Sequence, residues 1–282
     1  MALQIKHTGY SPDWGGRELS LKAQGIDPYD TIWGGTEASF DFGIPELVPN
    51  APQNGDEATN MRTGGDPTVF SDFQNGAGDP DVTTVHADGG VRFSASVPGG
   101  FGMVLPEAFD LTTHGTTTSA VIWLWMNTAT VQDVLQGVMG YGKVNDSSNL
   151  QWAIYTTTDG AGSLRIRVGS GGGYSDINVA QTTGEQLISL LVRKDSAAGF
   201  TAFAYRDATL LGSAARSYPL NQPKDGDPTV TPRMGSLAGL GGPLSFIARR
   251  CGVRVVDPEV YTQAVHEAWI AEQIAANGGR WA

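Results

Sequence analysis

Two polar segments carry the side chains best suited to bind a hydroxyl-rich ligand. Asn145 and Asp146 open the run Asn-Asp-Ser-Ser-Asn, and Tyr174 and Asp176 follow three consecutive glycines. Amide and carboxylate groups can hydrogen-bond to vicinal hydroxyls, and a tyrosine ring can cover the apolar face of a sugar. These four residues are therefore our candidate glycan-binding residues. The alternative is that both segments are ordinary solvated hairpin tips, which have the same composition.

The sequence lacks the features that would make such a site hydrolytic. Retaining glycosidases need two carboxyl groups about 5 Å apart. Glu37 and Asp41 are four residues apart, which would place both on one face of a strand, but they flank a segment rich in proline and glycine. The chain has no Ser-His-Asp elbow, and its four histidines do not have a zinc-binding spacing. We therefore expect no enzymatic activity.

The other side chains with ligating or reactive chemistry have simpler interpretations. The acidic turns at 79–81 and 225–227 offer oxygen ligands for calcium, but neither matches a known calcium-binding loop. We therefore expect no metal and no cofactor. Cys251 is the only cysteine, so an intrachain disulfide is impossible, and its apolar surroundings predict a buried, unreactive thiol. Trp123 and Trp125 could stack on sugars, but their strand is so apolar that we expect both to be buried.

The net charge excludes some classes of partner. The chain has 282 residues and a net charge of -11, whereas nucleic acids and anionic membranes are bound by basic surfaces. We expect neither partner. No apolar run approaches the roughly 20 residues that span a bilayer, and the N-terminus lacks the basic start and apolar core of a signal peptide. We therefore expect a protein made in the cytoplasm, without membrane insertion.

Strand patterns recur about every ten residues, without helices between them. Residues 91–97 and 163–168 alternate apolar with polar side chains, which is typical of strands with one buried face. Residues 119–126 and 186–194 are apolar on both faces, as expected of central strands covered on both sides. Glycine-rich segments between the strands fit hairpins and loops. The pattern predicts an all-β sandwich.

One helix is indicated near the C-terminus. The sequence Asp-Pro-Glu at 257–259 supplies a capping side chain, a proline suited to the first helical position and a negative charge at the positive end of the helix dipole. Apolar residues then recur every four residues from Tyr261 to Trp269, and Gly278 is a natural stop. The sequence therefore predicts a helix over about 258–277 that packs on the sandwich.

The first 85 residues have a different composition. Residues 41–80 contain several prolines among Asn-Gly, Gly-Gly and Gly-Asp steps, with few apolar residues between them. Such a composition predicts loops, or a segment that becomes ordered by what it contacts. We therefore divide the chain into an N-terminal arm (1–25), a loop-rich segment (26–85) and a sandwich domain (86–282).

Several segments resemble concanavalin-like, laminin-G-type jelly rolls. Residues 89–95 (GGVRFSA) look like an early core strand of that family, and 109–126 is similar to its passage from Asp-Leu through a polar loop to a Trp-bearing strand. Residues 187–204 resemble its strand pair around a charged turn, and 233–235 occupy the place of a glycine before its last sheet segment. The resemblance covers about residues 40–275. It implies a concanavalin-like jelly-roll sandwich with a short C-terminal helix and an irregular N-terminal arm.

Two departures from the family concern its ligands. No acidic pair maps onto the family's calcium position, and the Glu-x-Asp-x-x-Glu run of its glucanase branch is missing. Concanavalin-like sandwiches include glycanases, lectins and structural modules, so the fold alone does not decide function.

Compact domains that look like this one are frequent in tailed-bacteriophage fibres, tail tips and capsid spikes, where they form oligomers and contact host polysaccharide. The resemblance therefore implies a structural virion protein of a tail or capsid appendage, located in the virion. We expect it to be a homo-oligomer whose N-terminal arm joins other virion subunits and which contacts host surface glycan. The alternative is a stand-alone, lectin-like glycan-binding protein. A polysaccharide hydrolase or lyase ranks last.

Overall fold

A computed structural model describes nine stretches of the chain. These are residues 36–62, 64–72, 83–85, 89–94, 101–115, 118–196, 198–223, 230–240 and 244–277. The predicted N-terminal arm, residues 1–25, lies outside the described residues, as do the acidic turns at 79–81 and 225–227.

Half of the described chain is β-strand. In chain order the strands are β1 (Thr36–Asp41), β2 (Glu57–Ala58), β3 (Thr68–Asp72), β4 (Thr83–Val85), β5 (Val91–Phe93), β6 (Phe101–Val104), β7 (Ser119–Thr128), β8 (Gly137–Gly142), β9 (Leu150–Thr156), β10 (Ser163–Ser170), β11 (Gly173–Ala180), β12 (Gly184–Ser196), β13 (Gly199–Arg206), β14 (Thr209–Arg216), β15 (Pro232–Met234) and β16 (Phe246–Val256). One α-helix, α1 (Gln263–Asn277), follows β16, and two short 3-10 helices cover Pro45–Leu47 and Glu107–Phe109.

The strands form two antiparallel sheets. The first has the order β14-β13-β12-β7-β16-β5-β4, with β1 also paired to β16. The second has the order β11-β10-β9-β8-β15-β6-β3-β2. Large apolar side chains from both sheets, among them Phe40, Leu124, Trp152 and Met234, meet in one core. The fold is therefore the predicted all-β jelly-roll sandwich with a short C-terminal helix.

The central strand of the first sheet is the one that the sequence indicated. Residues 119–126 form most of β7, which pairs with β12 on one side and with β16 on the other. Leu124 faces the core between the sheets, whereas Trp123 and Trp125 face the opposite side and contribute to a second buried cluster with Trp269 and Ile270 of α1. Both faces of β7 are thus covered, which explains why it is apolar throughout.

The helix begins five residues later than predicted. The Asp257 carboxylate accepts a hydrogen bond from the Glu259 amide, and the Asp257 carbonyl accepts one from the Tyr261 amide, so 257–261 forms a turn of its own. The Thr262 hydroxyl then accepts a hydrogen bond from the Val265 amide at the start of α1. Asp257 is therefore a capping residue, as predicted, but it caps this turn. The turn places Tyr261 against the sheet.

The described part of residues 26–85 lies in both sheets. Strand β1 pairs with β16 in the first sheet, and β2 and β3 form one edge of the second. The division of the chain at residue 86 stays a prediction, but the four strands before it are integral to the sandwich.

Two further expectations concern Cys251 and the membrane. Cys251 lies in β16 and is fully buried, and burial raises the pKa of its thiol far above the ordinary value. In the ranges that the structure describes, no helix has the length and apolar character needed to cross a membrane.

Candidate functional site

The candidate residues lie at the outer surface of the second sheet. Strands β10 and β11 pair so that Arg165 lies opposite Asn178, Arg167 opposite Asp176 and Gly169 opposite Tyr174. Alternate residues of β10, such as Ile166, point into the core. The predicted alternation of 163–168 is confirmed, and it places two arginines on the outer face.

Arg167 is the centre of this surface. Its Nε and Nη2 atoms each donate a hydrogen bond of 2.7 Å to one oxygen of Asp176, which is a bidentate ion pair. The third nitrogen, Nη1, donates to the Val144 carbonyl at 3.1 Å. The guanidinium carbon also lies 4.0 Å from the centre of the Tyr174 ring. One side chain therefore joins a loop residue to two residues of β11.

Burial and ion pairing act in opposite directions on Arg167. Burial lowers the pKa of its guanidinium, but the hydrogen bonds to Asp176 and the proximity of Tyr155 outweigh burial, so the pKa is raised. Burial also raises the pKa of the Tyr174 phenol, and the charge of Asp146 adds to that effect while Arg167 opposes it. Arg167 is thus a permanent cation, and Asp146 lies close enough to Tyr174 to act on it.

Arg165 is the second arginine of this surface, and its side chain is more exposed than that of Arg167. Its Nε donates to Asn178 Oδ1 at 2.6 Å, and its Nη1 lies 3.8 Å from Asp176 Oδ2. Both arginines lie over the ring of Tyr155, which is almost fully buried beneath them. A buried aromatic ring therefore supports two guanidinium groups at the surface.

The loop between β8 and β9 borders this surface. Asp146 Oδ1 accepts hydrogen bonds from the Ser148 amide at 3.0 Å and hydroxyl at 2.8 Å. Val144 packs with Leu150 and Tyr155 in a small apolar cluster, and this anchors the loop on the sheet. Asn145, between the two anchored positions, is exposed. The anchors leave Asn145 presented to solvent.

Of the four predicted residues, Tyr174 and Asp176 contact Arg167 directly. Asp146 lies near Tyr174, and Asn145 follows the Val144 carbonyl to which Arg167 donates. Asp176 is committed to the ion pair with Arg167, and one face of the Tyr174 ring is covered by the guanidinium. The alternation of 163–168 places Arg165 and Arg167 on the outer face, but it assigns them no role. The available signal was two arginines on one face of a strand, two residues apart.

The surface offers a mixed set of hydrogen-bonding groups. Guanidinium and amide groups donate at Arg165, Asn145 and Asn178, and carboxylates accept at Asp146 and Asp176. In the described part of the chain, no group of three or more histidine, cysteine, aspartate or glutamate residues could hold a metal ion. This arrangement can bind hydroxyl or carboxylate groups of a polar ligand.

The chain resembles solved structures in fold. Trypanosoma rangeli sialidase has a TM-score of 0.55 at 8% identity over 93% of this chain and 39% of the sialidase chain. The same sialidase in complex with sialic acid has a TM-score of 0.51 at 9% identity, with the same coverage. The Ruminococcus gnavus IT-sialidase CBM40 bound to alpha2,3 sialyllactose has a TM-score of 0.44 at 15% identity over 64% of this chain and 95% of that one, too weak a likeness to carry an argument.

No protein-family model and no curated protein sequence matches the chain. At identities this low, the likeness to the sialidase shows the fold alone. The chain also spans only about two fifths of the length of that enzyme. The class defined by fold and surface is therefore a jelly-roll sandwich with a polar, arginine-centred patch on its second sheet.

Proposed function

We propose that this chain is a lectin-like, glycan-binding module. The observation that carries the proposal is the arrangement around Arg167, which fixes Asp176, Tyr174 and the 143–149 loop at one surface. Arg167 is only 13% exposed, so its contacts hold the surface in shape. The groups that remain accessible are those suited to vicinal hydroxyls, because they combine donors and acceptors a few ångströms apart.

Binding at this surface should be weak for one copy. The patch is open rather than enclosed, so a sugar makes few desolvated contacts, and a dissociation constant near a millimolar, about −4 kcal/mol, is reasonable. Several copies acting together would raise the effective affinity by about 10²–10⁴ without new contacts. The module therefore suits a multivalent display of the ligand.

We further propose that binding occurs without cleavage. Asp176 accepts two hydrogen bonds from Arg167, and Asp146 accepts two from Ser148. Both carboxylates are engaged in holding the surface, whereas a glycosidase needs a carboxylic acid and a nucleophile directed at the sugar. The engagement of both carboxylates supports a binding role.

The hypothesis of a phage virion protein remains a prediction from the sequence. The solved structures that resemble the chain give it no support, and glycan binding is the part of the hypothesis that the surface favours. The virion subunits and the homo-oligomer named as partners likewise stay predictions.

The proposal can be tested with a glycan array and protein that has been made multivalent. The array should carry neutral, uronic-acid and sialylated glycans, the last because the fold resembles that of a sialidase. We expect binding to at least one class. The double variant Asn145→Ala, Arg165→Ala should reduce that signal at least about tenfold, since it removes one exposed and one half-buried donor.

A matched double variant controls for surface mutation in general. Asn54→Ala, Arg92→Ala removes an exposed asparagine and an exposed arginine on other parts of the sandwich and should leave binding unchanged. If no glycan is bound, the proposed function is wrong. If both double variants bind equally, the site is wrong. A reducing-end release assay on any bound glycan should show no product; release would overturn the proposal of binding without cleavage.

A further inference from the structure

An exposed aromatic ring lies at the turn between β10 and β11. Tyr218 is 58% exposed. Its ring lies against Gly171, because a Cβ atom placed on that glycine would come within 2.8 Å of Tyr218 Cγ. Gly171 also has a φ of 50°, in the left-handed region that favours glycine. The turn therefore accommodates the ring on its backbone and leaves the rest of the ring in solvent.

The two residues that hold the Tyr218 segment in place, Leu220 and Asn221, contact the end of β10 and the loop between β8 and β9. Leu220 forms a β-bridge with Ser170 at the end of β10, and the Asn221 amide donates to the Gly169 carbonyl at 3.1 Å. The Asn221 side chain donates to the Ser147 carbonyl at 2.7 Å, in the loop that also holds Asn145. Tyr218 is thus held at the same end of the second sheet as the Arg167 surface.

The two tyrosines at this end differ in what they can contact. One face of Tyr174 is stacked on the Arg167 guanidinium at 4.0 Å, and its hydroxyl is buried with no partner among the described groups. Among the described residues, no guanidinium stacks on the Tyr218 ring, which rests on the Gly171 backbone and is otherwise exposed. Sugar rings stack on exposed aromatic faces through their C–H bonds, so an available face decides which ring can serve.

Arg216 adds a polar group beside Tyr218. It lies two residues earlier in the chain, and its Nε donates to Ser175 Oγ at 2.6 Å. Its two terminal nitrogens would each lie 3.7 Å from a Cβ atom on Gly173. The Tyr218 ring and the Arg216 guanidinium therefore flank the same glycine turn. Such a pair can bind a sugar because the aromatic ring stacks on one face of the sugar and the guanidinium donates a hydrogen bond to a hydroxyl.

We infer that Tyr218, and not Tyr174, is the residue on which a sugar ring stacks, with Arg216 as a hydrogen-bond donor to that ring. The inference rests on the proposed function and specifies its ligand class: a pyranose with one unsubstituted C–H face. Tyr174 instead positions Arg167. The sugar site then extends from the Arg167 surface across the β10–β11 turn.

The test compares four proteins by NMR titration with lactose, cellobiose, maltose and 3′-sialyllactose as probes. The four proteins are wild type, Tyr218→Ala, Tyr218→Phe and the control Leu210→Ala, which changes an exposed apolar residue of β14. We expect Tyr218→Ala to weaken binding about tenfold per site, since loss of the stacked ring removes of the order of 1.4 kcal/mol. Tyr218→Phe, which keeps the ring, should bind within about twofold of wild type, as should the control.

A second measurement reports on Tyr218 directly. Iodination of Tyr218, followed by mass spectrometry, should be slowed by a bound probe in the wild type. Unchanged binding by Tyr218→Ala, while Asn145→Ala, Arg165→Ala loses binding, would overturn this inference and leave the proposed function standing. A loss of binding in Tyr218→Phe equal to that in Tyr218→Ala would also overturn the inference, because stacking on the aromatic ring would then not explain the loss. Absence of binding to every probe in the wild type would overturn this inference, and absence of binding on the glycan array as well would overturn both proposals.

Discussion

His266 is fully buried between α1 and the outer face of the first sheet. Its Nε2 lies 3.1 Å from the Ser189 hydroxyl and its Nδ1 lies 3.1 Å from the Tyr261 hydroxyl. The rings of Tyr205 and Trp269 pack around it. Burial, assisted by the positive charge of Arg254, lowers the pKa of His266 to about 3. The imidazole is therefore neutral in the folded protein at any pH near neutrality.

This histidine makes stability depend on pH. Because the pKa is depressed in the folded state, the unfolded chain binds more protons between the folded pKa of about 3 and the ordinary value of about 6.5. Stability is therefore fully present above about pH 6.5 and falls as the pH is lowered. We expect the free energy of unfolding to drop by about 2 kcal/mol from pH 7 to pH 5, measured by urea denaturation.

Two variants separate His266 from other titrating groups. His266→Gln cannot titrate in this range, so its unfolding free energy, although lower overall, should change much less between pH 7 and pH 5. His114→Gln, at a half-buried histidine outside this cluster, should keep the wild-type dependence on pH. A pH dependence that persists in His266→Gln would contradict the assignment.

At the residue scale, the sequence predicted which faces side chains occupy but not which distant residues they meet. Arg165 and Arg167 point outward because the strand alternates, and alternation is local. The hydrogen bond from Arg167 to the Val144 carbonyl joins residues 23 positions apart. No periodicity encodes that contact, because it depends on how a loop settles on the finished sheet. The outward face of β10 could therefore be predicted, whereas the contact of its Arg167 with a distant loop could not.

Among the elements, β1, β16 and α1 are joined by one buried side chain. Arg250 Nε lies 3.2 Å from Asp41 Oδ2, and both side chains are almost fully buried. Arg250 Nη1 also donates to Asn277 Oδ1 at 2.8 Å, at the last residue of α1. The sheet edge and the end of the helix are thus tied to the same guanidinium.

Removal of that guanidinium should be costly, because it leaves the Asp41 carboxylate buried without its partner. We expect Arg250→Met to lower the free energy of unfolding by about 3–5 kcal/mol. The double variant Asp41→Asn, Arg250→Met should be less destabilised than the single one, since no unpaired charge remains. Chemical denaturation of each variant measures these differences.

The same strand offers a matched control. Glu37 forms an ion pair with Arg62, and both of these side chains are about one-third exposed. Arg62→Met should cost only about 0–1 kcal/mol, because water screens an exposed pair. Similar losses in Arg250→Met and Arg62→Met would mean that burial does not set the strength of the Asp41 pair.

At the element scale, the strands and the helix could be predicted because their signals are local. The start of α1 could not be predicted, because two capping signals lie close together, at Asp257 and Thr262. The turn between them is fixed by the packing of Tyr261 against the sheet. Strand β1 also escaped prediction. It pairs with β16 across more than 200 residues, for example Phe40 with Cys251, within a stretch whose composition favours loops.

At the scale of the whole molecule, the described strands of both sheets and the helix lie between Thr36 and Asn277. Residues 1–25, the predicted arm, lie outside the described part of the chain and contribute no described strand. We expect deletion of residues 1–24 to leave a folded sandwich with one cooperative thermal transition, because the described strands of both sheets and α1 lie in the remaining chain. Unfolding of the truncated protein would contradict this expectation.

The same deletion tests whether the arm joins subunits, as the sequence predicts. If it does, size-exclusion light scattering should show an oligomer for the full chain and a monomer for the truncated one. Binding to a single soluble glycan should be equal in both, because the Arg167 surface is intact. Binding to a dense glycan surface should fall by about 10²–10⁴ in the truncated protein, since avidity is lost while each site is unchanged. An unchanged oligomeric state would show that the arm does not join subunits, and an equal loss of single-site binding would place the arm in the glycan site itself.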